Sequence, residues 1–223
     1  MIKMKLFLNG GGSGEKVLLA YQKFNELVDH TKPLLYIPLA MTKHRYPDCL
    51  EWIKTELKDI NISNIEMITS ADEILTKKLN DYCAIFIGGG NTFKLLSELK
   101  ESGAFDKIRE YIDNDGIIYG GSAGAIIFGY DINSCLYADE NVVDTKDTKG
   151  FNYLNGKSLT THYTNKSEEE KATDYLIEYT KTNEDVYAIS EETTIYIEDN
   201  NINFIGEQNV YCFSKGNKKL LKS

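Results

Sequence analysis

Ser122 stands in the run Gly116-Ile-Ile-Tyr-Gly-Gly-Ser-Ala-Gly-Ala-Ile-Ile-Phe-Gly129, bracketed by Gly120, Gly121 and Gly124 in a G-x-S-x-G pattern. Small neighbours of this kind let the chain turn so sharply that the serine hydroxyl projects from the top of a sheet while its own backbone is strained. Ala123, next in the chain, offers its N–H at the first turn of a helix, where a developing oxyanion gains a donor and a favourable dipole. A nucleophilic serine needs a base within hydrogen-bond reach, and that base needs an orienting acceptor. Three histidines are available. His30, in the polar Asp29-His-Thr-Lys segment, reads as a solvated side chain. His44 falls in the loop after the second expected strand and is a rival. His162, at the end of an expected strand that follows the serine, is the favoured base.

The elements that must position these residues are legible from periodicity. Ile117, Ile118 and Tyr119 form an uninterrupted apolar strand, as in a parallel sheet covered on both faces. Before it come Lys5–Leu8 (strand), Val17–Val28 (helix), Leu34–Ile37 (strand, stopped by Pro38) and Tyr46–Ile60 (helix). Ile65–Ile68 (strand), Ala71–Leu79 (helix) and Ala84–Ile87 (strand) follow. This alternation predicts an α/β fold, a mostly parallel sheet with helices on both faces, in one domain over residues 1–223. The glycine-rich loop Asn9–Gly14 lacks the G-K-[ST] ending of a P-loop, and its G-x-G-x-x-G register fails at Glu15, so it reads as a strand-to-helix loop lining a site. A second glycine turn, Gly88-Gly-Gly90, precedes Asn91 and Thr92, either of which can cap the next helix. A doubly wound sheet sets this turn beside the serine turn, where its bare N–H groups can complete an oxyanion site. Beyond the serine, Asp131–Thr148 is expected as an arm or hairpin, and Ser158–Thr161 as a strand. A helix follows from Lys166. Short runs at 186–189, 194–197, 202–205 and 210–213 are expected as antiparallel strands added at the C-terminal edge.

Composition narrows the function classes. The 223 residues carry a net charge of −9 with only two arginines, Arg45 and Arg109. Such a surface repels phosphate backbones and argues against nucleic acid. No apolar run approaches a membrane span, and the N-terminal stretch is too short for a secretion signal, so a cytoplasmic protein is expected. The four cysteines are widely spaced and read as buried reduced thiols rather than as a disulfide framework or metal site. The oligomeric state is open, a homodimer included.

Four segments in order, Gly88-Gly-Gly-Asn-Thr-Phe93, Gly120-Gly-Ser-Ala-Gly124, Gly150-Phe-Asn-Tyr-Leu154 leading to Thr161-His-Tyr163, and Ile189-Ser-Glu-Glu192, give the chain its resemblance to a known family. It resembles the peptidase E (aspartyl dipeptidase) family of serine peptidases, whose fold is like that of the class I glutamine amidotransferases. The resemblance implies hydrolysis of dipeptides or short peptides with no metal or organic cofactor. It implies Ser122 as nucleophile, His162 as base, Glu192 as the orienting carboxylate, and Gly89, Gly90 and Ala123 as oxyanion donors. Glu191 is an alternative to Glu192, since neighbouring strand residues face opposite ways. Asp139, in the acidic arm, is a candidate for holding either a substrate ammonium group or the histidine, and Asn91 is a further candidate substrate contact. An arginine expected after the histidine is absent. Lys166 or Lys171 would replace it as point charges rather than bidentate forks, so strict aspartyl specificity is not expected. Two other readings remain: an esterase or amidase with the acid between serine and histidine, as Asp139 or Asp144, and a non-enzymatic binding domain.

Overall fold

The structure, a computed structural model, describes residues 4–163 and 166–222. Strands β1 (Lys5–Asn9), β2 (Leu34–Ile37), β3 (Ile65–Met67), β4 (Ala84–Ile87) and β5 (Ile117–Gly121) form the parallel body of a seven-stranded sheet. Their order is β3-β2-β4-β5-β1, so the two glycine turns that follow β4 and β5 do lie side by side. Helices α1 (Leu18–Asn25) and α2 (Tyr46–Leu57) cover one face, burying Tyr21, Phe24, Ile53 and Leu57. The other face is covered by α3 (Asp72–Thr76), α4 (Thr92–Ser102), α5 (Ala104–Asp113) and the one-turn α6 (Ala123–Ile126). Strands such as Leu34–Ile37 are buried along their whole length, which is why they read as continuous apolar runs.

The C-terminal strands divide between two sheets. β8 (Thr194–Glu198) joins β1 antiparallel and β9 (Asn201–Ile205) joins β8, extending the main sheet at the expected edge. β6 (Ser158–Thr160), β7 (Val186–Ile189), β10 (Val210–Ser214) and β11 (Asn217–Lys222) form a second sheet, with β6 and β7 parallel. Helix α7 (Lys166–Tyr179) packs Ala172 and Leu176 against Val186, Ala188 and Phe213 of that sheet. Strand-length patterns do not reveal which sheet a strand joins, because Thr194–Glu198 in one sheet and Val210–Ser214 in the other are apolar-rich runs of equal length. The acidic segment after α6 is not a hairpin. It is a 3-10 turn at Ile132–Cys135 closed by a single bridge between Asp131 and Lys149.

One row of side chains runs across the face under α1 and α2. Tyr36, Phe86, Tyr119, Phe7 and Tyr196 occupy matching registers on β2, β4, β5, β1 and β8. Phe86 and Tyr119 stack at 4.8 Å and Phe7 and Tyr119 at 5.9 Å, offset geometries that contribute beyond area burial. On the opposite face Phe151 stacks on Phe105 at 3.9 Å and on Phe128 at 4.9 Å, pinning the Gly150–Leu154 segment behind α6.

The turn after β5 depends on backbone contact. A Cβ on Gly124 would lie 2.2 Å from the carbonyl oxygen of Ile87 in β4. Gly124→Ala is therefore expected to push β4 and α6 apart, costing on the order of 1–3 kcal/mol as overpacking. A fall of several degrees in the thermal unfolding midpoint would register it, and an unchanged midpoint would contradict the close approach.

Candidate active site

Ser122 joins β5 to α6 with φ 53° and ψ −117°, a conformation that L-residues rarely hold. The backbone makes no gradual transition there, so the hydroxyl is presented above the carboxyl edge of the sheet. The turn is fastened by Ser122 N–H donating to Asn9 O of β1 at 3.0 Å, and by Ala125 and Ile126 N–H donating back to Ser122 O.

His162 arrives from the second sheet, two residues after β6, and also has a positive φ of 57°. Its Nε2 lies 2.9 Å from Ser122 Oγ and its Nδ1 lies 3.1 Å from Glu191 Oε1. An ionised carboxylate only accepts hydrogen bonds, so Nδ1 carries the proton and Nε2 accepts from the serine hydroxyl. That is the tautomer a general base requires. Glu191 is held below the ordinary carboxylate range, first by the hydrogen bond from Lys16 Nζ at 2.9 Å and then by the one from His162.

The carboxylate that faces His162 is thus Glu191, and not Glu192 as expected. Glu192 instead accepts from Gln208 Nε2 at 2.6 Å. Both residues lie in a turn between β7 and β8, closed by Thr193 N–H on Ser190 O, so the alternation of a strand does not apply. Glu191 O accepts from Gly12 N–H at 3.0 Å, and this fixes the residue with its side chain toward His162.

The glycine loop after β1 is the bed of this chain of hydrogen bonds. His162 N–H donates to Gly10 O, and Gly10 N–H donates to Thr193 O. A Cβ on Gly11, whose φ is +102°, would fall 2.2 Å from His162 Cε1. The imidazole occupies the space a side chain would take. Asn9, buried at the end of β1, ties the loop down: its Oδ1 accepts from Gly11 N–H at 2.8 Å, and its Nδ2 donates to Thr194 Oγ1 at 2.9 Å. Asn9 and Lys16 carry no motif and were not singled out from the sequence. The one available signal was an amide residue at a strand end before three glycines.

The other expected residues divide. Gly89 borders the serine, since a Cβ there would lie 3.1 Å from Ser122 Cβ. The N–H groups of Gly89, Gly90 and Ala123 meet no acceptor among the described residues. Asn91 caps α4, accepting from Lys94 N–H at 2.9 Å and donating to Glu140 O at 2.8 Å. Its side-chain capacity is therefore largely used by the fold. Asp139 Oδ2 accepts from Thr92 N–H at 2.8 Å and from Thr92 Oγ1 at 2.5 Å, so it is not the partner of His162. It does line a small recess of about 50 Å³ with Ser122, Tyr137, Thr160 and His162. Lys171 is exposed on α7 and lines neither cavity that meets Ser122. The side chain of Lys166 lies outside the described residues. His30 and His44 are both exposed, and neither lines a cavity that meets Ser122. No group of three or more His, Cys, Asp and Glu side chains among the described residues could hold a metal ion.

Comparison with known proteins follows the same lines. The model of peptidase family S51 matches residues 6–205. The chain belongs to peptidase family S51. Its S51 relatives include peptidase E of Nostoc sp., 28% identical with 97% of this chain and 91% of that protein covered. Peptidase E of Shewanella denitrificans is 28% identical over 87% of this chain and 83% of that protein. A crystal structure of a Listeria monocytogenes protein described as a candidate peptidase E superposes with TM-score 0.77 at 28% identity, covering 92% of this chain and all of that one. As an S51 member the chain is a hydrolase, a peptidase of the serine type.

Two outcomes are expected from the hydrogen-bond geometry. Glu191→Gln should lower kcat/KM by roughly 10²–10⁴, the cost of losing the orienting carboxylate, whereas Glu192→Gln should leave it within about twofold. The reverse ranking in steady-state assays would reinstate Glu192. Because the carboxyl of Glu191 has a lowered pKa in the folded state, its contribution to stability is complete above its unfolded value near 4.3 and is lost as pH falls through the folded value. Lys16→Met should accordingly unfold at a lower temperature than wild type at pH 7, with the difference closing on acidification. Parallel melting curves over pH 2–7 would check this.

Proposed function

We propose that this S51 peptidase hydrolyses dipeptides or short peptides through an acyl-enzyme on Ser122. The observation that supports this most is the Ser122 Oγ–His162 Nε2 contact of 2.9 Å on a strained turn, continued by His162 Nδ1–Glu191 at 3.1 Å. Ser122 attacks the scissile carbonyl while His162 takes its proton. The carbonyl oxygen becomes an anion facing the free N–H groups of Gly89, Gly90 and Ala123, and preorganised donors of this kind usually supply the largest catalytic term. His162 passes its proton to the leaving amine, then activates the water that releases the acyl group. Glu191 keeps the imidazole in the working tautomer and balances the imidazolium.

The resemblance to the peptidase E family implies aspartyl dipeptides, but no free arginine supports that preference among the residues described around Ser122. Arg109 donates to Phe151 O and lies over the Phe105 and Phe151 rings, so its guanidinium serves the fold. Strict aspartyl specificity is therefore not part of the proposal. A cytoplasmic setting is, on the ground that all four cysteines are free and buried. The serine–acid–histidine order of other hydrolases finds no support, because Asp139 binds Thr92 and Asp144 pairs with Lys146 at the surface.

Fluorophosphonate labelling tests the mechanism. One adduct on wild-type protein by intact mass, none on Ser122→Ala and slower labelling of His162→Ala is the expected pattern. Peptide hydrolysis by Ser122→Ala should fall by roughly 10⁴-fold or more with the thermal midpoint kept. Retained turnover in that variant would end the serine mechanism.

A further inference from the structure

A cavity of about 480 Å³ opens beside Ser122 on the side away from the Asp139 recess, and it runs beneath the sheet edge toward α2. Its origin lies in the register of the sheet. Along a strand, residues i and i+2 share a face. Above the aromatic row, the next residues on that face are Gly88 after Phe86 and Gly121 after Tyr119. A Cβ built on Gly121 meets no atom within 4 Å. At Gly88 the Tyr36 hydroxyl fills that space, 2.9 Å from where a Cβ would lie, so the row forms a floor whose cover is missing at Gly121, beside the nucleophile. Tyr36, Phe86 and Tyr119 make the floor, Tyr21 leans on Tyr119 at 5.3 Å, and Trp52 of α2 meets Phe86 edge-on at 6.1 Å.

The size and charge of this space select its occupant. A single water needs only about 30 Å³, whereas cavities of about 300–1,000 Å³ with apolar walls and few polar groups are typical of ligand sites. The charged residues lining it are Arg45 and Asp48, which pair with each other at 2.9 Å and are exposed at the rim. An entering aspartate would find one cation already neutralised. An aromatic ring would find faces and edges of five others.

We propose that this cavity is the side-chain pocket of the enzyme and takes a large aromatic residue flanking the scissile bond, making aromatic short peptides the substrate class. The proposal deepens the peptidase reading and rests on it for the reaction, but occupancy can be read without turnover. Trp52 is the only tryptophan of the chain, so its emission reports the pocket directly.

Ser122→Ala protein is titrated with Phe-Ala, Ala-Phe, Ala-Ala and Asp-Ala. The expected result is a saturable Trp52 response in which one of the two phenylalanine peptides binds roughly tenfold to a hundredfold tighter than Ala-Ala, from burial of one ring. Which of the two responds tells whether the pocket serves the acyl or the leaving residue. Adding Gly121→Leu, which grows a side chain into the space, should abolish the difference while leaving the thermal midpoint near that of the parent. Cys49→Phe, filling the cavity from α2, should do the same. Equal binding of all four peptides, tightest binding of Asp-Ala, or an aromatic preference that survives both plugs would each overturn the proposal. Failure of the wild type to form a serine adduct would instead overturn the mechanism and leave the titration to decide the pocket.

Discussion

The backbone of Ser122 is the constraint on which the rest of the site depends. A non-glycine residue at φ 53° and ψ −117° costs of order 1–3 kcal/mol, and it persists only because the surroundings over-determine it. On one side β5 is held between β1 and β4, and on the other α6 is pressed against the backbone of β4 at Gly124. The Phe105–Phe151–Phe128 stack closes the back of that helix. Strain stored in this way replaces any need to recruit the hydroxyl during reaction, since it already stands at the sheet edge with donors at its foot.

The imidazole and carboxylate that continue the hydrogen-bond chain from Ser122 are supplied from a different sheet. β6 and β7 run parallel as neighbours, and each delivers a side chain just past its carboxyl end: His162 after one, Glu191 after the other. The glycine loop after β1 is the joint between the sheets, since it accepts from His162 N–H and donates to the carbonyl groups of Glu191 and Thr193. Its lack of side chains is a packing requirement set by the imidazole. Lys16, at the start of the first crossover, adds a cation to the far oxygen of Glu191 and so ties the same loop to the acid from outside.

The two faces of the sheet edge differ in chemistry. The recess toward Asp139 is small and has Ile126, Cys135 and Ala138 in its wall beside the polar residues, and its carboxylate is already engaged at the N-terminus of α4. The opposite side is wide, aromatic and nearly free of net charge, because Gly121 follows Tyr119 on β5 and leaves the space above it open. The same residue type thus meets two demands, close backbone approach at Gly124 and empty space at Gly121.

Periodicity and composition were enough for the α/β class, the first five strands as elements along the chain, the serine turn and a helix cap at Asn91 or Thr92, because each of these is set by local spacing along the chain. The choice of His162 among three histidines was also legible, since it alone follows a strand placed after the elbow. Glu191 over Glu192 was not. Two adjacent carboxylates in a turn are indistinguishable until the hydrogen bond from Gly12 fixes which one faces inward, and that bond spans 179 positions of chain. The division of the C-terminal strands into two sheets, the bed that Asn9 and Gly11 make for the imidazole, and the aromatic cavity were likewise decided only by the tertiary structure. Each depends on which strands lie side by side, a long-range pairing that no window of sequence contains.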